Sequence, residues 1–205
     1  GLTAYFGVTK ISKPNPGDTV IVTGAAGGVG SLAGQIFKIA GCNVYGIAGG
    51  KEKCEMLIND FGFDGAIDYK SENLNESLGK FCPNGADIVY DNVGGRILND
   101  CLLHLALNAR IAICGIISRH KTDNMNFGPE NYSNLIFKRA TMQGFLMLDY
   151  VSETVSARKK MKKWIEDGKL ICKEDLREGF KNAPDTLKGL FDGKNKGKQL
   201  LKITD

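Results

Sequence analysis

Val20-Ile21-Val22-Thr23-Gly24-Ala25-Ala26-Gly27-Gly28-Val29-Gly30 joins two kinds of local pattern. Its β-branched start suits a buried strand, small residues then break it, and Val29, Leu32, Ala33, Ile36, Phe37 and Ala40 recur at helical spacing. The pattern predicts strand, tight turn, helix. Such a turn leaves the first N–H groups of the helix unpaired, and glycines let a pyrophosphate approach them with no Cβ in the way. One reading is therefore a dinucleotide site over Gly24, Gly27, Gly28, Val29 and Gly30. The spacing is G-x-x-G-x-x-G rather than G-x-G-x-x-G, so a turn serving only helix–strand packing is the other.

A chain of 205 residues holds one sizeable α/β domain, or one domain and part of another. No apolar run is long enough to cross a bilayer. The start, Gly1-Leu2-Thr3-Ala4-Tyr5-Phe6, lacks the basic region and cleavage site of a signal peptide. A cytoplasmic protein with no membrane partner is expected, and without an initiator Met the chain need not start where the natural protein starts. Net charge is a mild +4. The basic run Arg158-Lys159-Lys160 with Lys162-Lys163 alternates with Val155, Met161, Trp164 and Ile165, which describes a solvated helix face better than a nucleic-acid stripe. Six cysteines, Cys42, Cys54, Cys82, Cys101, Cys114 and Cys172, form no C-x-x-C pair and read as buried reduced thiols. With two histidines, His104 and His120, no metal site is expected.

The remaining elements follow a β-α rhythm. Residues 2–12 read as a helix broken by Pro14, Pro16 and Gly17, and the first strand runs from about 19 to 23. The glycine-turn helix stops at Gly41, a left-handed cap. Val44 to Ala48 is a strand, 51–60 a helix, Ala66 to Tyr69 a strand, and Asn73 to Phe81 a weaker helix. Asp87 to Val93 forms the fourth strand, Ile97 to Leu107 a helix, and Arg110 to Cys114 the fifth strand. A polar stretch from Ile116 to about Tyr132 is long enough to suggest a functional loop. A short helix near 132–138, a sixth strand from Thr141 to Leu148 and a helix near 151–167 complete the series. These elements predict a doubly wound parallel sheet of the Rossmann type, covered on both faces. The tail, with a helix around Ala183 to Phe191 and a strand from Gln199 to Ile203, does not extend the rhythm.

Ligands of such a sheet sit beyond the carboxyl ends of its strands. After the second strand, where NAD-binding proteins place a carboxylate for the ribose 2′-hydroxyl, the chain reads Ala48-Gly49-Gly50-Lys51-Glu52-Lys53. Loss of the carboxylate and gain of cations suit a 2′-phosphate, hence NADP(H). The bland account is a solvated helix start. After the fourth strand, Asn92 with Gly94-Gly95 forms either a cofactor contact or a helix-entry turn. Cys114, Gly115 and Ile116 end the fifth strand where a nicotinamide would lie, and nothing supplies a base to make Cys114 a nucleophile. His120 in the long loop is a candidate proton or hydrogen-bond donor, or an idle loop residue.

Together these pieces resemble the medium-chain dehydrogenase/reductase superfamily, and within it the zinc-independent prostaglandin reductase and alkenal double-bond reductase branch. The matching segments are Gly1 to Gly7, Ala25 to Gly30, Gly34-Gln35, Ala48-Gly49 with Lys53, Gly62-Phe63-Asp64, Asp91 to Gly95, Arg110-Ile111-Ala112, Cys114-Gly115 with Ile117-Ser118, Glu178-Gly179-Phe180, and Gly193 with Asn195, Gly197 and Lys198. The resemblance implies NADPH-dependent reduction of the carbon–carbon double bond of α,β-unsaturated aldehydes or ketones, small-molecule substrates. It also implies that Lys53 and Tyr69 contact the 2′-phosphate end, Asn92 and Asn195 the nicotinamide end, and Cys114 to Ile116 the flank of that ring. Where this branch carries a tyrosine two residues after Ile117-Ser118, the chain has His120, which makes it the expected catalytic donor. Family members also carry an N-terminal barrel-like domain forming one wall of the cleft. The expectation is a cofactor domain over 1–171 and a segment, 172–205, returning to that barrel. By itself the chain is expected to bind cofactor and reduce little. A natural stand-alone NADP(H) sensor and a quinone oxidoreductase remain alternatives. The family pairs subunits through the edge of this sheet, and the apolar Phe145-Leu146-Met147-Leu148 points to a homodimer there.

Overall fold

The β-branched runs become strands buried on both faces, and the computed structural model describes residues 1–118 and 129–203. A helix, α1 (Leu2–Phe6), widens into a π-type helical stretch over Gly7–Ser12. There follow β1 (Thr19–Thr23), α2 (Gly30–Ile39), β2 (Asn43–Ala48), α3 (Lys51–Asn59), β3 (Gly65–Asp68), α4 (Leu74–Phe81), β4 (Ala86–Asp91), α5 (Gly95–Cys101) and β5 (Leu105–Ile113). Beyond the undescribed residues come α6 (Asn134–Lys138), β6 (Thr141–Gly144), α7 (Thr154–Glu166), β7 (Glu174–Glu178), α8 (Ala183–Phe191) and β8 (Lys198–Lys202).

Strands β1 to β6 form one parallel sheet in the order β3-β2-β1-β4-β5-β6. Alternation explains why the opening run contains no polar break before Thr23. Val20 and Val22 face a core shared with Phe37 of α2, Leu57 of α3 and Met161 of α7, while Ile21 faces Leu78 of α4 and Leu98 of α5. Each fully buried aliphatic side chain of this kind contributes about 1.5–3 kcal/mol. The doubly wound sheet read from the sequence is thus present, and the strand order reverses between β1 and β4. That crevice is where such folds take ligands.

The structure differs from the sequence reading in five places. The helix expected over Ile97 to Leu107 ends at Cys101, passes through a 3-10 turn at Leu102–His104, and gives way to β5 at Leu105. Leu98, Cys101, Leu102 and Leu105 keep helical spacing because Leu105 fills the same core from a strand. Its pairing with Ala86 is followed by a register shift to Ile88 and Arg110, with Asn108 left-handed at φ 63°. The sixth strand stops at Gly144, opposite Ile113, the last residue of β5, so Phe145 to Leu148 leave the sheet. Phe145 packs against Tyr90, whereas Leu146 and Leu148 are exposed. The tail does contain a β-α-β unit: β7 and β8 pair in parallel as a separate two-stranded sheet with α8 between them. β7, Glu-Asp-Leu-Arg-Glu, carries no strand signal in the sequence because only one of its residues is apolar. The apolar stripe of α7 runs through Ala157, Met161 and Trp164, leaving Val155 79% exposed. Finally, all six cysteines are free, but Cys172 is exposed and Cys54 and Cys114 are only half-buried.

Candidate functional site

The glycine turn sits at the strand-order reversal. Gly24 has φ +57°, a conformation that costs an L side chain roughly 1 kcal/mol or more, and a Cβ on it would lie 3.2 Å from Val93 beyond β4. Ala25 N–H donates to Ile47 O at the end of β2 (3.0 Å). At Gly30 a Cβ would fall 2.4 Å from Gly24 O, so only glycine lets α2 start this close to the strand it leaves. No side chain caps α2, and no acidic residue occupies its first turn. Its positive end therefore stays available to an anion. Two members of the set have a second duty. Gly27 bridges to Gly197, Gly197 N–H donates to Ala26 O (2.8 Å), and a Cβ on Gly28 would lie 3.0–3.2 Å from Lys198. The tail thus packs directly on the turn.

Beside it, the ends of β4 and β5 are stitched together. Asp91 is fully buried and accepts from the Thr23 hydroxyl (2.6 Å), Gly94 N–H (2.9 Å) and Val93 N–H (3.2 Å). Burial pushes its carboxyl above the usual range, opposed by these three donors. Thr23 Oγ1 in turn accepts from Asn92 N–H (2.9 Å), and the Asn92 amide donates to Thr23 O (2.7 Å). Cys114 and Gly115 N–H both reach Asp91 O, and Ser118 N–H reaches Val93 O. A Cβ on Gly115 would stand 3.0 Å from Asn92 O. Asn92, Cys114, Gly115 and Ile116 are consequently brought to one place. Burial raises the Cys114 thiol, which a hydrogen bond with Tyr90 offsets only in part, so it is no ready nucleophile. Ile116 is 45% exposed at the rim. His120 lies outside the described residues.

On the other side, at the end of β2, Tyr69 and Lys70 arch over Gly49: a Cβ there would meet Lys70 Cε at 2.8 Å and Tyr69 Cε1 at 2.9 Å. Lys53, partly buried, donates from Nζ to Gly193 O (2.6 Å). Its ammonium is held below the usual lysine range, first by desolvation and then by the charges of Lys70 and Lys196, with Asp175 acting weakly the other way. Asp68, at the end of β3, is the nearby carboxylate that could have taken a ribose hydroxyl. It already accepts from Gly50 N–H (2.7 Å), Lys70 N–H (3.1 Å) and the Ser71 hydroxyl (2.8 Å). Lys53, Lys70 and Lys196 thus gather beside Gly49, with the Asp68 carboxylate committed to holding the turn. That arrangement fits a phosphate monoester.

Asn195 is buried and donates to Gly197 O (2.8 Å). Its neighbours contact Ala26, Glu52 and Lys53, which ties the segment around it to both the glycine turn and the lysines. Sequence reasoning passed over Thr23, Asp68, Lys70, Asp91 and Lys196. Asp91 did carry a signal, an acidic residue ending an apolar strand just before Gly94-Gly95. The others gave none, because their roles depend on which strands become neighbours. Among the described residues no three His, Cys, Asp or Glu side chains group to hold a metal, and no helix is long and apolar enough to cross a membrane.

Residues 28–165 match the profile of the zinc-binding dehydrogenase family. The chain belongs to that family. The superfamily resemblance read from the motifs is borne out. It is 42% identical over 205 residues to a 2-alkenal reductase (NADP(+)-dependent) of Nicotiana tabacum, covering 100% of this chain and 60% of that protein. It is 42% identical to prostaglandin reductase 1 of Bos taurus, covering 98% of this chain and 62% of that protein. Among solved structures, CurA in complex with NADPH from Vibrio vulnificus superposes with a TM-score of 0.95 at 41% identity, covering 100% of this chain and 62% of that one. The chain therefore spans about six-tenths of the length of these relatives.

Proposed function

We propose that this chain is the NADP(H)-binding portion of a zinc-independent oxidoreductase that reduces the carbon–carbon double bond of α,β-unsaturated aldehydes or ketones. The observation that carries the reading is the lysine group around Gly49, with Asp68 already committed to its own turn. The names of the tobacco and bovine relatives and the NADPH in the Vibrio structure support it. Residues 1–171 are proposed as the cofactor domain, and 172–205 as the segment returning to a barrel-like catalytic domain. The sheet edge at β6 is proposed to pair two subunits, in a cytoplasmic enzyme.

The cofactor, when bound, supplies a hydride for the substrate's β-carbon. The protein's own groups do the rest. The turn from Gly24 to Gly30 with the start of α2 holds the pyrophosphate through N–H groups. Lys53 and Tyr69 hold the 2′-phosphate end, and Asn92 with Cys114 to Ile116 lines the nicotinamide end. The Thr23–Asp91 pair keeps Asn92 and Gly115 in register, so the ring's seat is organised before anything binds. Proposed for His120 is a hydrogen bond to the oxygen that becomes the enolate.

The deciding assay uses the full-length protein. NADPH oxidation with an alkenal or enone should exceed that with a quinone, and His120→Phe should lower turnover. Preference for the quinone would reverse the assignment. Unchanged rates for His120→Phe across pH 5 to 9 would remove that residue from the mechanism.

A further inference from the structure

Three lysines converge at the end of β2, and they come from three separate places: Lys53 from α3, Lys70 from the turn after β3, and Lys196 from the tail just before β8. Clustered like charges cost free energy unless something binds there, and Lys70 and Lys196 add to the desolvation that chiefly holds the Lys53 ammonium below the usual lysine range. The tail reaches this spot in two ways. Its Gly193 carbonyl accepts from Lys53 Nζ (2.6 Å), which fixes where that ammonium points. Its Lys196 Nζ forms an ion pair with Glu52, the residue preceding Lys53. Two further contacts clamp the turn between them: Lys196 N–H donates to Asp175 (3.2 Å), and the bridge at Gly197 seats it on Gly27.

We propose that the Gly193–Lys196 turn is part of the 2′-phosphate site, with Lys196 a specificity-determining cation for a ribose 2′-phosphate and Gly193 O the positioning contact for Lys53. This rests on the NADP(H) reading and extends it to a segment outside the β-α repeat. Glu52 has a definite place in the arrangement. It neutralises Lys196 while the site is free, and it is the anion a phosphate must compete with for that ammonium. Lys196 and Glu52 are 41% and 75% exposed, so substitutions there leave the core untouched.

The test measures binding of 2′,5′-ADP and 5′-ADP to the full-length protein, probes that differ only in the 2′-phosphate. Lys196→Gln should weaken 2′,5′-ADP about fivefold, the scale of a half-exposed charge pair, and leave 5′-ADP within twofold. Lys196→Arg should restore most of the loss. Glu52→Gln should tighten 2′,5′-ADP by about two- to threefold without moving 5′-ADP. A merely structural pair would give the opposite for Glu52→Gln, with both ligands weakened together, and that result overturns the proposal. Wild-type protein and Lys53→Gln separate the two levels of argument. If the wild type does not prefer 2′,5′-ADP, the NADP(H) reading falls and takes this inference with it. If it does, and Lys53→Gln abolishes the preference while Lys196→Gln does not, only the role of the tail falls.

Discussion

The Thr23 hydroxyl donates to the Asp91 carboxylate at 2.6 Å across neighbouring strands β1 and β4, with both residues fully buried. The same hydroxyl oxygen accepts from Asn92 N–H, so one side chain fixes both the buried acid and the turn that follows it. Thr23→Val keeps the shape and removes both interactions. It is expected to cost about 1–3 kcal/mol in chemical denaturation, because a buried carboxylate loses its side-chain donor. Thr23→Ser should recover most of it. Equal stability of Val and Thr would mean that the Gly94 and Val93 amides suffice.

Gly30 and Gly144 form a matched pair for testing the close approach of α2 to β1. A Cβ at Gly30 would meet the Gly24 carbonyl at 2.4 Å, whereas at Gly144 nothing lies within 4 Å. Gly30→Ala should lose about 1–3 kcal/mol and weaken cofactor binding, since backbone must move at the phosphate seat. Gly144→Ala should stay within about 0.5 kcal/mol of wild type. Thermal melts with and without NADPH measure both.

Gln35 ties the tail to α2. Its amide donates to Ile171 O (3.0 Å) and accepts from Ile171 N–H (2.7 Å), and the side chain is buried. Gln35→Leu strands both backbone groups, at a cost of about 1–3 kcal/mol. The expected signature is local: faster hydrogen exchange over 172–203, while β1 and β4 keep their protection. Uniform acceleration would instead make Gln35 a general core residue.

Lys53 supplies the pH dependence. Its folded-state pKa is lowered by desolvation and neighbouring lysines, so the charged form opposes folding, and the cofactor-free protein gains stability as pH rises through that lowered value. NADPH affinity should move the other way, because the charge that a phosphate needs is lost over the same window. At the acid end, affinity should fall as the phosphate takes up its proton near about pH 6. NADH binding should show neither limb, and Lys53→Gln should flatten the alkaline one. Calorimetric titration from pH 5 to 10 decides it, and an alkaline limb surviving in Lys53→Gln would point to another group.

Much of this protein was legible in its sequence because the signals are local. The run Val20 to Val22 is apolar without a break because both faces of β1 are buried, and Gly24 to Gly30 must be small because a helix starts within contact of the strand before it. Lysines in place of a carboxylate after Ala48 pointed to a phosphate without any knowledge of neighbours. What stayed hidden depends on pairings between distant segments. Leu105 continues a helical spacing, yet it is in a strand, since it fills the same core from either geometry. Leu146 and Leu148 look like strand residues, but β5 ends before they could pair. Asp68, Asp91, Lys70 and Lys196 carry ordinary local patterns. Only the order of the strands and the return of the tail onto Gly27 decide that two of these acids hold turns and that lysines from three elements meet at one point.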